Sequence, residues 1–239
     1  MIYFISDVHL GHEPRPQDKL REDKLLTFLQ SIKHDCETLV IAGDLFDFWF
    51  EYSTVVPKYY YRTLTALREI KESGIEIIYL MGNHDFGHKT FFEEELGIKI
   101  HRDDVECLLA GKRFYLSHGD GKSYNDTGYK ILKKIMRNPL ALWIYCKFHP
   151  DFGVWLAHGS SKKSRQYTAE KNYGEADGMK DFAKAKLEQG FDYVIMGHRH
   201  KAEKTQYGNG YYINLGEWLR QPTYGTFDGN EFQLKRYEQ

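Results

Sequence analysis

The chain has 239 residues, 41% of them hydrophobic and 15% aromatic, and its 33 Lys or Arg against 34 Asp or Glu give a net charge of −1. This composition favours a folded core over a disordered chain, and a charge near zero argues against a general nucleic-acid binder. The three cysteines form no CxxC pair, which favours free thiols in a reducing compartment. We find no signal peptide and no apolar run of the roughly 18 residues that a membrane span needs, so we expect a cytoplasmic protein.

The first hundred residues alternate predicted strands and helices. Apolar, β-branched runs predict strands at residues 2–5, 39–42 and 75–81. Helical spacing predicts a helix from Asp18, a second that begins at Pro57 and stops at Gly74, and a short third that ends at Gly97. This βαβαβα order favours parallel pairing of the strands.

The rest of the chain departs from that alternation. Residues 105–109 and 113–117 flank Ala110-Gly111-Lys112, a spacing typical of a hairpin. A helix through Met179 ends at Gly190 and leads into a strand. The later predicted strands cover residues 193–196, 203–207, 211–215 and 224–227, with a last one from Phe232. We expect two sheets packed face to face with helices outside, in a single domain over residues 1–239.

Residues 121–172 interrupt this scheme. They contain ten Lys or Arg against three Asp or Glu, a net charge of +7, which leaves about −8 for the rest of the chain. They also contain the apolar run LALWIY. Because long insertions beside a site are often lids, we interpret this segment as a helical lid.

Five polar clusters, SDVHLG, GDLFDFW, GNHDF, SHGD and GHRH, each follow a predicted strand. The carboxyl ends of strands in open α/β sheets meet at one edge, so we expect the clusters to converge. They contain seven oxygen or imidazole donors suited to two divalent metals: Asp7, His9, Asp44, Asn83, His118, His198 and His200. Asp7 and His9 would point the same way if the extended backbone continued through them, and we expect the same of His198 and His200. The sequence indicates a role for Asp47 less strongly, and we expect it to support the metal ligands and not to bind metal itself.

The five blocks, in this order over residues 7–200, resemble the calcineurin-like metallophosphoesterase superfamily. The resemblance implies an α/β fold, a four-layer αββα sandwich of two mixed sheets, with two divalent ions, Mn²⁺ first and Fe or Zn as alternatives. It assigns one ion to Asp7, His9, Asp44 and His200, and the other to Asp44, Asn83, His118 and His198. A hydroxide shared by the ions would attack phosphorus, with His84 as proton donor and Asp85 orienting it.

Within the superfamily, the aromatic end of GDLFDFW, the HGD block and the insertion look like the UDP-2,3-diacylglucosamine hydrolases of lipid A biosynthesis. These enzymes release lipid X and UMP, usually with Mn²⁺. The resemblance implies substrate contacts from Asn83, His84, Asp126, Ser164, Thr168, Lys171 and His198. It also implies an acylated nucleotide-sugar substrate, no nucleic-acid partner, and peripheral binding at the cytoplasmic face of the inner membrane.

One departure keeps other readings open. The well-studied branch usually has GNRD where this chain has GNHD, and histidine can act as an acid whereas arginine offers a permanently charged fork. The chain is a divergent member of that branch or a phosphomonoesterase or diesterase of another substrate, a nuclease included. A non-catalytic scaffold is the reading from a different class, but such a protein would be expected to lose ligands or His84. His12, just after the first block, is a further candidate for substrate contact.

Overall fold

The computed structural model describes residues 1–124, 134–135, 138–155 and 177–238. In this part of the chain the strands are β1 Ile2–Ile5, β2 Thr38–Ile41, β3 Glu76–Leu80, β4 Ile100–His101, β5 Val105–Leu109, β6 Lys112–Leu116, β7 Tyr193–Met196, β8 Glu203–Tyr207, β9 Gly210–Asn214, β10 Thr223–Phe227 and β11 Phe232–Arg236. The helices are α1 Arg15–Ile32, α2 Tyr61–Glu72, α3 Phe91–Leu96, α4 Pro139–Tyr145 and α5 Gly178–Glu188, with a 3₁₀ turn at Lys58–Tyr60.

The strands form two mixed sheets. The first has the order β11-β10-β1-β2-β3-β4, in which β1 to β4 are parallel and β10 and β11 are antiparallel additions at one edge. The second has the order β5-β6-β7-β9-β8, with β6, β7 and β9 parallel and antiparallel strands at both edges. The parallel pairing predicted for the first hundred residues is confirmed.

Three apolar clusters define four layers. One cluster packs α1, α2 and α3 onto the first sheet and includes Phe28, Leu67 and Phe92. The second fills the space between the sheets, where Phe4 stacks on Phe114 with ring centroids 5.7 Å apart. The third packs α5 onto the outer face of the second sheet. The αββα sandwich is therefore confirmed, and it turns the carboxyl ends of β1, β2, β3, β6 and β7 toward a common region.

Two predicted boundaries are wrong for local reasons. The first helix begins at Arg15, not at Asp18, because Pro16 occupies a first-turn position that needs no N–H partner. Asp18 instead accepts a hydrogen bond from the backbone N–H of Gly11 at 2.7 Å. In the second case Pro57 precedes the 3₁₀ turn, and the α-helix itself starts at Tyr61.

The predicted lid is described only in part. Asn138 caps α4 by accepting from the N–H groups of Leu140 and Ala141, and residues 150–155 are also helical. The aromatic ring of Tyr145 packs 4.2 Å from that of Phe50, between centroids. Among the described helices, none has the length and apolar content that a membrane crossing requires.

Candidate metal centre

The five polar clusters lie in the loops that follow β1, β2, β3, β6 and β7, and backbone hydrogen bonds join these loops. The N–H groups of Asp7 and His9 donate to the carbonyls of Gly43 and Asp44, at 3.1 and 3.0 Å. The N–H of Gly197 donates to the carbonyl of His118 at 3.0 Å. These bonds join the loops after β1 and β2, and the loops after β6 and β7, and the N–H of His198 links the two pairs by donating to the carboxylate of Asp7.

One group of donors combines the first and last clusters. Nε2 of His9 lies 3.1 Å from Nε2 of His200, and Oδ1 of Asp7 lies 3.3 Å from His200 Nε2 and 3.7 Å from His9 Nε2. Ligands at about 2.1 Å from one cation are themselves roughly 3 to 3.5 Å apart. The spacing of these three side chains fits a shared cation.

A second group surrounds Asp44. Its Oδ2 lies 3.2 Å from Nε2 of His118 and 3.7 Å from Nε2 of His9, so the same oxygen contacts both groups. His118 Nε2 is also 2.9 Å from Oδ1 of Asn83, and the rings of His118 and His198 are 5.2 Å apart. Asp44 is thus placed between the two groups, as a bridging carboxylate would be.

The outer ring nitrogens of two histidines are held by hydrogen bonds. Nδ1 of His118 lies 2.9 Å from the carbonyl of Ala42, which can only accept, and Nδ1 of His9 lies 3.2 Å from Oδ1 of Asp47. These contacts fix the tautomer that leaves Nε2 as a lone-pair donor toward the centre. Orientation of this kind is typical of metal-ligating imidazoles.

The buried carboxylates determine the electrostatics of the centre. Burial opposes the ionisation of Asp7, but the imidazoles of His200 and His9, whose Nε2 atoms lie 3.3 and 3.7 Å from its Oδ1, hold its pKa well below the usual value. Burial likewise opposes a positive charge on His118, but the nearby charge of Asp44 raises the pKa of His118 to about 10. For His9, the contacts with Asp47 and Asp7 outweigh burial and raise its pKa to about 10. Burial and the charge of His118 lower the pKa of His198 to about 4. Divalent cations among these donors would replace the protons and neutralise the carboxylates, so the donor set fits two metal ions.

The backbone at the ligands is left-handed, which contradicts the expected extended geometry. Asp7, His9, Asp44, His198 and His200 have φ between 51° and 69°, and among the described non-glycine residues only Ala110 shares a positive φ. The Asp-x-His and His-x-His pairs converge because each loop turns sharply after its strand. Gly43, with φ 90°, continues the same turn, and a Cβ there would lie 2.6 Å from His118 Nδ1.

Asp47 has a larger role than its sequence signal suggested. Its Oδ1 lies 3.2 Å from Nδ1 of His9, 3.4 Å from Nδ1 of His84 and 3.8 Å from Nδ1 of His12. The backbone N–H of His84 donates to Oδ1 of Asp44 at 2.8 Å. His84 is therefore placed beside the carboxylate of Asp44, with Asp47 against its ring.

Asp85 has structural partners that differ from the expected one. Its carboxylate accepts hydrogen bonds from the N–H of Gly82 at 2.7 Å, the N–H of Leu45 at 3.0 Å and the hydroxyl of Tyr79 at 2.6 Å. None of these donors is the ring of His84, which faces Asp47 instead. Asp85 thus joins the loops after β2 and β3, and the contact that orients His84 comes from the second acid of GDLFD.

Comparison with known protein families identifies the family of this chain. A family model described as calcineurin-like phosphoesterase matches residues 1–202. The chain belongs to this family. It is accordingly a metal-dependent phosphohydrolase, and family members bind divalent metals at sites of this kind.

Its curated relatives are similar over their full length. A UDP-2,3-diacylglucosamine hydrolase of Porphyromonas gingivalis is 33% identical, covering 99% of this chain and 97% of that protein. The proteins of the same name from Pseudomonas entomophila and Pseudomonas fluorescens Pf-5 are 32% and 30% identical, covering all of this chain and 99% and 95% of theirs. A solved archaeal phosphodiesterase is 16% identical with a TM-score of 0.49, covering 99% of both chains.

The structure brings the predicted candidate ligands together and adds one supporting residue. All seven candidate ligands lie at the described centre, together with His84. The substrate contacts expected from Asp126, Ser164, Thr168 and Lys171 lie outside the described residues. Asn214 at the end of β9 donates to the carbonyl of Gly197 at 2.6 Å and so supports the GHRH loop. The sequence gives no indication of this role, because Asn214 belongs to none of the five polar clusters.

Proposed function

We propose that this protein hydrolyses UDP-2,3-diacylglucosamine to lipid X and UMP. The observation that carries the proposal is the combination of a two-metal donor set with full-length relatives of that name at 30–33% identity. Those names favour this substrate over a generic phosphomonoester or diester. This chain has GNHD where the well-studied branch usually has GNRD. We propose that His84 supplies the polar side chain that arginine supplies at this position in that branch.

Two cations would be held by the groups described above. Asp7, His9, Asp44 and His200 would hold the first, and Asp44, Asn83, His118 and His198 would hold the second. When bound, such ions neutralise the phosphoryl oxygens and lower the pKa of water, with Mn²⁺ as the expected metal. The contacts of Asp47 with His9 and of the Ala42 carbonyl with His118 would keep Nε2 of these two histidines available to the ions.

The remaining residues act on the pyrophosphate. Nδ1 of His84 faces Asp47, so Nε2 is the nitrogen directed away from that carboxylate, and the ring lies 4.8 Å from that of His9. We assign His84 the donation of a proton or hydrogen bond to the leaving phosphate oxygen. Asp47 positions the ring through the 3.4 Å contact of its Oδ1 with Nδ1 of His84.

The apolar half of the substrate requires an apolar surface. Leu140, Trp143, Phe148, Phe152 and Trp155 of the described lid segment are all exposed, with Trp155 exposing 69% of its surface. Surfaces of this kind mark contact with lipid or with another apolar partner. We propose that this segment receives the acyl chains at the cytoplasmic face of the inner membrane, where the basic residues of the insertion meet anionic headgroups.

The direct test is release of UMP. Purified protein loaded with Mn²⁺ is incubated with UDP-2,3-diacylglucosamine, and UMP and lipid X are measured by mass spectrometry. We expect stoichiometric release of both, with loss of turnover after chelation and in Asp44→Asn. Rapid turnover of bis(p-nitrophenyl) phosphate without any UMP release would instead establish a phosphoesterase of another substrate.

Membrane contact has its own test. Cosedimentation with vesicles containing anionic lipid is compared for the parent, for Trp143→Ser combined with Trp155→Ser, and for Leu108→Ser. Leu108 is an equally exposed apolar residue on β5, so it controls for a general loss of apolar surface. We expect the double variant to lose most vesicle binding and the control to keep it; equal binding by all three would refute a role for the lid segment.

A further inference from the structure

A cavity of about 340 Å³ adjoins the candidate metal centre at His118. Leu80 and Met81 line it from the end of β3, residues 102–104 from the loop after β4, and Asp120 and Lys122 from the loop after β6. Its volume lies at the lower end of the range for small-molecule sites. A group held on the metal beside His118 would therefore have direct access to this cavity.

The lining of the cavity is polar. Five of its side chains carry charge: Arg102, Asp103, Asp104, Asp120 and Lys122. None of the exposed apolar residues of the lid segment is among the lining residues. The cavity therefore suits a hydrogen-bonding group and not an acyl chain.

Part of the lining is rigidly positioned. The carboxylate of Asp104 accepts from the hydroxyl of Tyr115 at 2.6 Å, from Oγ of Ser117 at 2.7 Å and from Nζ of Lys122 at 2.6 Å. Arg102 is anchored by a 3.2 Å hydrogen bond from its guanidinium to the carbonyl of His88. These contacts hold the loops after β4 and β6 together as one wall.

Two side chains of the wall are exposed to an incoming ligand. Arg102 and Asp103 are both exposed, and Asp103 makes no hydrogen bond or ion pair with any residue that the structure describes. A guanidinium beside a carboxylate offers donors and acceptors next to each other. This pattern matches a uracil ring, whose carbonyl oxygens accept and whose N3–H donates, and a ribose, whose hydroxyls donate to carboxylates.

We propose that this cavity binds the nucleoside part of the UDP-linked substrate and of the UMP product, an inference that rests on the proposed function. With metal bound beside His118, the phosphate of UMP would occupy the metal side of the cavity and its uridine would extend to Arg102 and Asp103. The substrate then has a separate surface for each half, with the charged cavity for the nucleotide and the apolar lid segment for the acyl chains. Arg102 and Asp103 contribute to specificity, not to the chemical step.

The test compares UMP with inorganic phosphate as inhibitors. Hydrolysis of bis(p-nitrophenyl) phosphate by the Mn²⁺-loaded protein serves as the reporter, and each variant is referred to its own turnover without inhibitor. Phosphate contacts the metals alone, so the ratio of the two inhibition constants isolates the nucleoside contribution. For the parent we expect UMP to inhibit at least about tenfold more strongly than phosphate, the equivalent of one charged hydrogen bond.

Variants then locate that contribution. In Arg102→Ala and in Asp103→Asn we expect the ratio to fall about fivefold or more while inhibition by phosphate persists. Arg68→Ala is the matched control, because Arg68 is an exposed arginine of α2 whose partner is Glu72, outside the cavity. If Arg102→Ala alters folding through loss of its bond to His88, the conservative variant Asp103→Asn still tests whether the cavity binds the nucleoside.

Two results would overturn the inference. One is inhibition by UMP no stronger than by phosphate in the parent, and the other is an unchanged ratio in both variants. Calorimetric titration of UMP and phosphate into the Mn²⁺-loaded protein gives the same comparison without turnover. Because neither assay uses the lipid substrate, a failure here is distinguishable from absence of UMP release, which concerns the proposed function.

Discussion

At the scale of single residues, the left-handed backbone of the candidate ligands is the most unusual feature of the molecule. A non-glycine residue with this conformation costs about 1 kcal/mol, so the five ligands together carry a strain of several kcal/mol. The hydrogen bonds that join the loops offset this strain, including the bonds from His198 N–H to both carboxylate oxygens of Asp7 at 3.1 and 2.9 Å. Strain of this kind is tolerated at functional sites, because it orients the side chains before the ligand arrives.

Asp47 provides a first residue-level prediction. In Asp47→Asn, the loss of charge beside His9 and His84 should weaken metal binding and lower kcat, each by about 10- to 100-fold. Metal content by mass spectrometry and turnover under saturating Mn²⁺ separate the two effects. Activity and metal content both equal to the parent would show that Asp47 has no supporting role.

His84 provides a second. We expect His84→Gln to lower kcat by about 100-fold or more with both metals retained, because glutamine cannot supply a proton. His34→Gln is the control, since His34 is an exposed histidine at the end of α1. If His84→Gln lost its metals along with its activity, the residue would belong to metal binding and not to proton donation.

At the scale of elements, the carboxylate of Glu51, in the loop after β2, caps the N-terminus of helix α3. Helix α3 receives no capping bond from the side chain of Thr90, its N-terminal neighbour. Glu51 fills this role from the loop after β2, accepting from the N–H groups of Thr90 and Phe91 at 2.9 and 3.1 Å and from the indole of Trp49 at 3.1 Å. This buried cap fixes α3 against the loop on which the lid segment packs.

The cap predicts a pH dependence of stability. Burial opposes the charge of Glu51, but the ring of His88, whose Nδ1 lies 3.7 Å from Oε1 of Glu51, and hydrogen bonds from the N–H of Phe91 and the indole of Trp49 lower its pKa from 4.5 to about 2. A lowered pKa in the folded state means that the stabilisation is complete above pH 4.5 and is lost as the pH falls from about 4.5 to about 2. Its size is on the order of 3 kcal/mol at neutral pH.

Glu51→Gln tests this prediction. We expect it to lower the free energy of unfolding by about 1–3 kcal/mol at pH 7 and to flatten the decline between pH 4.5 and 2. Glu72→Gln, an exposed member of the pair with Arg68, should change it by no more than about 0.5 kcal/mol. Urea denaturation at several pH values gives both quantities, and parallel pH curves for the parent and Glu51→Gln would disprove the cap.

At the scale of the whole molecule, the packing of one sheet on the other brings the two halves of the metal centre together. Asp7, Asp44 and Asn83 follow strands of the first sheet, whereas His118, His198 and His200 follow strands of the second. Phe114 lies in the interface, buried, with its ring 5.7 Å from Phe4 and 4.7 Å from Tyr193. Any change in sheet packing therefore alters the spacing of both donor groups.

Phe114→Ala tests this dependence. Removing the buried ring should cost about 3–5 kcal/mol in the free energy of unfolding. Phe114→Leu, which keeps most of the volume, should cost much less and leave metal affinity close to that of the parent. If Phe114→Ala lost this much stability but bound metal as tightly as the parent, the sheet interface would not control the spacing of the candidate ligands.

Metal binding should in turn stabilise the fold. At a Mn²⁺ concentration of 100 times the dissociation constant, each site adds about 2.7 kcal/mol, because unfolding separates the donors. The increment should shrink as the pH falls, since the imidazoles must lose protons to bind metal. Thermal denaturation with Mn²⁺ or with a chelator measures it, and Asp44→Asn, which affects both ions, should lose most of the increment.

The sequence by itself determined the strand and helix order, the parallel first half and the family resemblance, and it predicted the set of candidate metal ligands. Local patterns carry this information, because hydrophobic periodicity reports which face of an element is buried and the motifs follow strand ends. The family resemblance assigns Asp7 and His200 to one ion although 193 positions separate them, and the packing of the two sheets brings the ends of their strands, β1 and β7, together.

Only the tertiary structure decided how these residues act together. The left-handed turns at the ligands, the contact of Asp47 with His84 and the cap from Glu51 depend on hydrogen bonds between loops distant in the chain. The cavity beside His118 arises where the loops after β4 and β6 meet, a junction that no local pattern encodes. Backbone conformation at a turn and side-chain partners across loops are fixed by long-range packing, which is why composition, spacing and motifs did not reveal them.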